Sequence, residues 1–235
     1  MKQKTILTIL IMTVFQFLSG CATVGVSSYS YKEPTSLEIE NEAFVSIPFD
    51  QAWDKLVKHL ATRFYVVNNI DKESRLINVS FSTDSPEQFV TGGTTTHEFR
   101  RNGPAETVSY DPASSSSYKT GWKWGPYNNL PATGTIYRRT SLEGRANIYA
   151  APDGDGMRMT VNCRYILTIK ITGTFVAEDA FGTPVQTGVL PSSTDTASVS
   201  TDAPARVNWG TPAEPAWVTL RSTGKLENDI LSILK

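Results

Sequence analysis

The clearest pattern in the chain is an alternation of apolar and polar residues over 157–171. Every odd-numbered position there is apolar, and the even-numbered positions are polar apart from Ile166. Because successive side chains of a β-strand point to opposite faces, this pattern predicts a long antiparallel strand with one face on a core and one in water. A strand over 144–150 is predicted before it, and the intervening Asp153-Gly154-Asp155-Gly156 carries Asp-Gly pairs typical of a hairpin turn.

The first helix is predicted close to residue 50. A short apolar strand over 43–47 ends at Pro48, and apolar residues then recur at steps of three and four as far as Phe64. This spacing predicts an amphipathic helix that turns one apolar stripe towards a core.

Four further elements follow from similar patterns. Strands are predicted over 64–67 and 75–82, and Leu76 is the one apolar residue on the polar face of the second strand. Near the C-terminus, the sequence predicts a short strand over 217–220 and an amphipathic helix over 224–234.

Two stretches, 83–142 and 178–216, are rich in Gly, Pro, Ser and Thr and are predicted to be long loops. Edge strands are expected inside the first of them, around 107–110 and 135–139. The resulting fold class is α+β. A single domain over 43–235 would pack an antiparallel sheet against an N-terminal and a C-terminal helix, with long loop insertions.

The N-terminus has the pattern of a secretion signal. Lys2 and Lys4 precede an apolar run from Ile6 to Phe17, which is too short to span a bilayer as a mature helix. The next four residues, Leu18-Ser19-Gly20-Cys21, resemble the lipobox of bacterial lipoproteins. That resemblance implies cleavage after residue 20 and lipidation of Cys21.

The predicted anchor implies a location for the protein. Residues 21–42 lack periodicity and are predicted to be a lipidated flexible tether with a reach of about 25 Å. Ala22 stands where an Asp would resemble an inner-membrane retention signal, so we expect an outer-membrane protein that faces the periplasm. The predicted partner of Cys21 is the lipid bilayer.

Charge and cysteine content exclude several classes of protein. The chain has a net charge of −1, which argues against a basic surface for nucleic acid. With Cys21 lipidated, Cys163 is the remaining cysteine, so no intrachain disulfide is expected. Its position among the apolar residues of the long strand predicts a buried, unreactive thiol.

No catalytic or metal-binding motif is recognised. His59 is predicted on the polar side of the first helix and His97 in a loop, both as surface residues without ligand partners at metal-binding spacing. The 153–156 segment lacks the later ligands of a calcium loop, since Arg164 stands at the twelfth position. We therefore expect a non-enzymatic protein without a cofactor.

An aromatic set is the most suggestive binding feature: Tyr118, Trp122, Trp124 and Tyr127, with Tyr137 nearby. If exposed on a loop, these rings suit stacking on sugars or contact with a protein partner. Alternatively, they pin a long loop to the body of the domain, as aromatic residues often do.

The order of elements from Phe44 to Phe81 resembles small β-α-β-β envelope lipoprotein modules. BamC-like, helix-grip domains of the outer-membrane assembly machinery share this order, although the long middle insertion departs from their compact form. The resemblance implies an antiparallel sheet that grips one or two helices, and it implies no site residue. Two functions are predicted: a periplasm-facing protein-binding or assembly accessory factor, or a module that binds glycan or peptidoglycan through the aromatic set.

Overall fold

The computed structural model describes residues 24–125, 129–208 and 217–234. Strands dominate these residues, together with the helices α1 (Phe49–Thr62) and α2 (Lys225–Leu231) and short 3-10 turns at Pro86–Gln88 and Ser232–Leu234. The strands are β1 (Val26–Lys32), β2 (Glu42–Val45), β3 (Val66–Asp71), β4 (Leu76–Thr83), β5 (Val90–Thr91), β6 (Thr94–Arg100), β7 (Glu106–Tyr110), β8 (Ser116–Trp124), β9 (Leu130–Asp153), β10 (Gly156–Glu178), β11 (Pro184–Ser200), β12 (Ala205–Val207) and β13 (Val218–Ser222).

A hairpin of two long strands, β9 and β10, organises the fold. The strands have 24 and 23 residues and pair antiparallel along almost their whole length, from the Asp153/Gly156 turn to the pair of Ala132 and Ala177. Shorter strands then pair with different parts of the hairpin. β4 and β2 lie at the end near the turn, called the turn end, and β8 and much of β11 lie at the other, called the far end.

The hairpin has two different faces. Even-numbered residues of β9 and odd-numbered residues of β10 are buried, and they form the inner face. The opposite residues, the odd-numbered ones over 137–149 and the even-numbered ones over 158–176, form the open face, which is largely exposed. The structure thus confirms the predicted strand over 157–171 and its hairpin turn, and it extends the strand at both ends.

Both predicted helices are present, and their apolar residues join the core of the inner face. Ala52, Trp53, Leu56 and Leu60 of α1 are buried in the same cluster as Leu226, Ile230 and Leu231 of α2 and Met157 to Tyr165 of β10. Full burial of one large apolar side chain contributes about 1.5–3 kcal/mol. The structure therefore confirms an antiparallel sheet with two helices, although strands predominate.

The predicted long loop over 83–142 is wrong. β6 and β7 form a three-stranded sheet with β1, in the order β1-β6-β7, while β8 and the first half of β9 belong to the main sheet. The inward side chains of β6 include the polar Thr95 and His97, so the apolar alternation that identifies a strand is absent there. The edge strand expected near 107–110 is confirmed as β7, and the one near 135–139 is part of β9.

The tether predicted over 21–42 is wrong for residues 26–32, which form β1 and pair with β6. Gly25 lies directly against β8, where a side chain at Gly121 would come within 2.5 Å of the Gly25 carbonyl oxygen. This stretch of chain is thus docked on the domain. Residues 33–41 contain no regular element, and residues 21–23 lie outside the described residues.

The second predicted loop, 178–216, is also wrong over β11 and β12. β11 is an edge strand of the main sheet, and most of it is exposed on both faces, so its sequence shows no apolar alternation. A boundary near the first helix also differs: α1 ends at Thr62, β3 begins at Val66, and Phe64 between them is exposed. Among the described residues, no helix is long and apolar enough to cross a membrane.

Candidate functional site

The predicted aromatic set is divided between two faces of the sheet. Tyr118 of β8 is only 3% exposed, stacks on Tyr110 at 5.8 Å between ring centroids and lies 4.5 Å from the ring of His97. A ring buried in this way cannot stack on a ligand, so the prediction for Tyr118 is wrong. Tyr137 of β9 lies on the open face and is exposed, and Tyr127 lies outside the described residues.

The tryptophans of β8 are half-buried and pack at the far end of the inner face. The rings of Trp122 and Trp124 lie 6.0 and 4.5 Å from the ring of Phe175, beside Ala132. The indole nitrogen of Trp124 also donates a hydrogen bond to Gln186 Oε1 at 3.2 Å. These contacts join β8, β9, β10 and β11, which supports the alternative that the aromatic residues hold this part of the chain to the domain.

The prediction that His97 is a surface residue on a loop is also wrong. His97 lies on β6, is 1% exposed and is enclosed by the rings of Tyr29 and Tyr118, at 4.3 and 4.5 Å. Ser27 and Thr120 lie hydroxyl to hydroxyl at 3.1 Å where β1 packs on β8. This polar and aromatic contact joins the small sheet to the main one.

A cleft of about 450 Å³ separates the end of α1 from α2, and it collects several titratable groups. Arg63 Nε donates to His59 Nε2 at 3.0 Å, and Lys225 Nζ pairs with Asp229 at 2.8 Å. Burial and the Arg63 charge lower the pKa of His59, while burial and the Asp229 charge raise the pKa of Tyr65 to about 12. The cleft groups therefore satisfy one another in pairs, His59 with Arg63 and Lys225 with Asp229.

Below this cleft lies a buried polar network that sequence reasoning missed. Glu227 of α2 is 0% exposed. Its Oε1 accepts from Thr201 Oγ1 at 2.7 Å, and its Oε2 accepts from the Tyr165 hydroxyl at 3.3 Å. Burial, followed by the Glu227 charge, raises the pKa of the neighbouring Cys163 thiol. The predicted burial of Cys163 is thus confirmed.

The open face carries an unusual arrangement of cations. Arg145 of β9 is directly opposite Arg164 of β10, and Arg139 is directly opposite Lys170. All four are exposed, and within the described residues none forms an ion pair. Glu143 is the carboxylate that lies on β9 between the two pairs. We call these four residues the opposed cations.

A row of asparagines crosses the open face beside the opposed cations. Asn68 Nδ2 donates to Asn78 Oδ1 at 2.8 Å, and Asn78 Nδ2 donates to Asn147 Oδ1 at 2.5 Å. Asn147 is directly opposite Asn162, which accepts from Asn41 Nδ2 at 3.1 Å. The row therefore links β3, β4, β9 and β10, and it presents amide groups on an exposed surface.

Three large apolar side chains lie on the open face at the turn end: Phe44, Leu76 and Tyr149, which are 44–45% exposed. Leu76 is directly opposite Tyr149, and Phe44 is opposite Arg158, whose guanidinium carbon lies 5.9 Å from the Phe44 ring centroid. We call these three residues the apolar patch. Single exposed apolar residues are common, whereas a group of them on a sheet face is typical of an interaction surface.

Some residues of the open face could be predicted from the sequence. The polar residues of β10 follow from its alternation, and a similar alternation runs through 137–149, where even-numbered residues are buried. Which cations face each other depends on the pairing register of β9 and β10, which is set by the turn between Asp153 and Gly156.

The described residues contain no group of three or more His, Cys, Asp or Glu side chains arranged to hold a metal ion. The 153–156 segment is a hairpin turn in which Asp153 accepts a hydrogen bond from Arg158 at 2.8 Å. No protein-family model, curated protein or solved structure matches the chain.

Proposed function

We propose that this protein is a lipid-anchored lipoprotein of the bacterial cell envelope that binds another protein and has no enzymatic activity or cofactor. The observation that carries the anchor is the run Leu18-Ser19-Gly20-Cys21 directly after an apolar segment with basic residues before it. Lipidation at Cys21, with a second acyl chain, would give stable attachment to the bilayer. Because residue 22 is Ala, we propose the outer membrane, with the domain facing the periplasm.

The anchor is tested by Cys21→Ser. The variant should take up no labelled fatty acid, and after cell lysis it should be released from the membrane fraction by the removal of divalent cations and salt washing. Label on the variant would overturn the anchor at Cys21. The Cys163→Ser variant, which changes the buried thiol, is the matched control and should remain labelled and membrane-bound.

Binding of a protein is proposed at the apolar patch. Its three side chains are exposed to water on a sheet face, and a partner that covered them would bury an apolar group at the centre of an interface. The proposed helix-grip arrangement, in which the sheet packs against α1 and α2, leaves the open face free on the side away from both helices.

A photocrosslinking amino acid at Tyr149 tests the proposed interface in cells. We expect one discrete protein adduct that disappears when Leu76→Asp is added, because a charge at that position would prevent apolar contact. The same crosslinker at Lys58, an exposed position on α1, should not give this adduct. An adduct pattern that is the same from both positions, or insensitive to Leu76→Asp, would overturn the interface.

A second candidate function, binding of envelope glycan, is favoured by the open face. Trp122 and Trp124, which the sequence suggests as sugar-binding residues, pack against Phe175. Tyr137 is exposed beside cations and amides, which can form hydrogen bonds with sugar hydroxyls. Retention on peptidoglycan or a polysaccharide matrix tests this candidate. Tyr137→Ala should reduce retention, and unchanged retention would argue against it.

A further inference from the structure

The opposed cations require an explanation that the fold does not supply. Side chains directly opposite on antiparallel strands have Cβ atoms about 4.5–5.5 Å apart, and like charges at such positions are destabilising. Arg145 and Arg164 form one such pair, and Arg139 and Lys170 form another. A chain with 22 Lys and Arg and 23 Asp and Glu has enough acids to neutralise them, yet Glu143 is the one carboxylate that β9 and β10 place between the two pairs.

The spacing of the two pairs indicates an extended ligand. Arg139 and Arg145 are six residues apart on one strand, which corresponds to roughly 20 Å. One small anion cannot contact both pairs, whereas a chain that lies along the strands can. Between the pairs the open face is formed by β9 and β10, and Ile166 is the one large exposed apolar residue there.

The groups around the cations suit sugars. The amides of Asn147 and Asn162 lie beside the Arg145 and Arg164 pair, and hydroxyls of Ser141 and Thr168 face each other between the two pairs. Amide and hydroxyl groups both donate and accept hydrogen bonds, as sugar hydroxyls do. Towards the far end, the open face continues into a groove of about 640 Å³ whose lining includes Thr133, Thr135 and Thr174.

We propose that the open face binds an anionic glycan, a sugar polymer that carries carboxylate or phosphate groups along its length. The opposed cations contact the anionic groups, and the amides and hydroxyls contact the sugar units between them. This inference deepens the second candidate function by naming its ligand class, and it is independent of the apolar patch. An acidic protein segment or an anionic membrane would use the cations alone, without the sugar-binding groups.

The test uses the purified full-length protein in non-ionic detergent and four probes. Polygalacturonate is a carboxylate-bearing glycan, and neutral dextran is a glycan without charge. Poly-glutamate carries carboxylates on a peptide backbone, and phosphatidylglycerol vesicles present an anionic membrane. We expect measurable binding of polygalacturonate that weakens as salt is raised, and at least tenfold weaker binding of the other three probes.

Three sets of variants assign the binding to the open face. Arg145→Gln with Arg164→Gln should weaken polygalacturonate binding roughly tenfold to thirtyfold, since each cation near an anionic surface contributes about one factor of five. Arg145→Lys with Arg164→Lys keeps the charge and should retain most of the binding. Arg100→Gln with Lys58→Gln removes the same charge from exposed positions elsewhere and should have little effect.

The Gln pair is expected to fold, because it relieves a repulsion, and its thermal midpoint should equal or exceed that of the wild type. Asn147→Ala with Asn162→Ala should weaken polygalacturonate binding without changing its salt dependence. Equal loss in the Arg100 and Lys58 control, or equal binding of poly-glutamate or vesicles, would overturn the inference. Equal binding of neutral dextran would overturn the anionic ligand and leave glycan binding standing, whereas binding of no glycan at all would overturn both.

Discussion

The hydroxyl of Tyr165 provides a sharp test of the buried polar network. Tyr165 is fully buried on β10, and its hydroxyl donates to Glu227 Oε2 at 3.3 Å. Tyr165→Phe removes this hydrogen bond with almost no change in packing. Glu227 Oε1 keeps its hydrogen bond from Thr201, so the variant removes one of the hydrogen-bond donors to this carboxylate and leaves another in place.

The cost follows from the chemistry of the bond. Hydrogen bonds to charged groups contribute about 1.5–3 kcal/mol, and a bond of this length belongs in the lower part of that range. We therefore expect the free energy of unfolding to fall by about 1.5–2 kcal/mol. In a domain of this size that lowers the thermal midpoint by about 3–8 °C.

The assay is urea unfolding of the purified protein, followed by fluorescence of its five tryptophans. Tyr149→Phe is the matched control, because Tyr149 is exposed on the open face, and it should change stability by less than about 0.5 kcal/mol. Tyr165→Phe combined with Glu227→Gln should cost less than the sum of the single changes, since the first removes the bond that the second weakens. A Tyr165→Phe midpoint equal to that of the control, at unchanged denaturant dependence, would refute the reasoning.

Three further predictions follow from single positions. Cys163 should react with a thiol reagent at pH 8 only after unfolding, because burial raises its pKa and blocks access; rapid labelling of the folded protein would contradict this. The pKa of Tyr65 is raised from 10.0 in the unfolded chain to about 12 in the folded protein, so its contribution to stability is lost as the pH rises between these values. The urea midpoint should therefore depend less on pH in this range in Tyr65→Phe than in the wild type. Gly121→Ala should cost about 1–3 kcal/mol in urea unfolding, because its Cβ would meet the Gly25 carbonyl. Gly103→Ala should be nearly neutral, because its Cβ would lie 3.9 Å from the Arg101 carbonyl oxygen, an ordinary contact distance.

The elements that could be predicted from sequence are those whose burial follows the period of their backbone. β4, β10 and α1 each bury apolar residues at regular spacing, so residue patterns identify them. β6 buries Thr95 and His97, and most of β11 buries neither face, so both resemble loops in sequence. Composition identifies regular apolar burial, which neither of these strands has along its length.

The candidate sites were predicted less well, for a related reason. The aromatic residues of β8 were recognised, but whether each ring was exposed depended on which face of the strand it occupied. Leu76 and Ile166 stood out as apolar residues on polar faces, and both are exposed on the open face. The opposed cations are separated by up to about 30 residues along the chain, and only the register of the hairpin brings them together.

The docking of β1 has a consequence for how the protein stands on a membrane. Gly25 is the fourth residue after Cys21, so the two are at most about 14 Å apart. With Cys21 lipidated as proposed, the far end of the hairpin is held next to the bilayer surface. A strand of 23 residues extends roughly 75 Å, so the turn end of the hairpin, which carries the apolar patch, would then lie far from the bilayer surface.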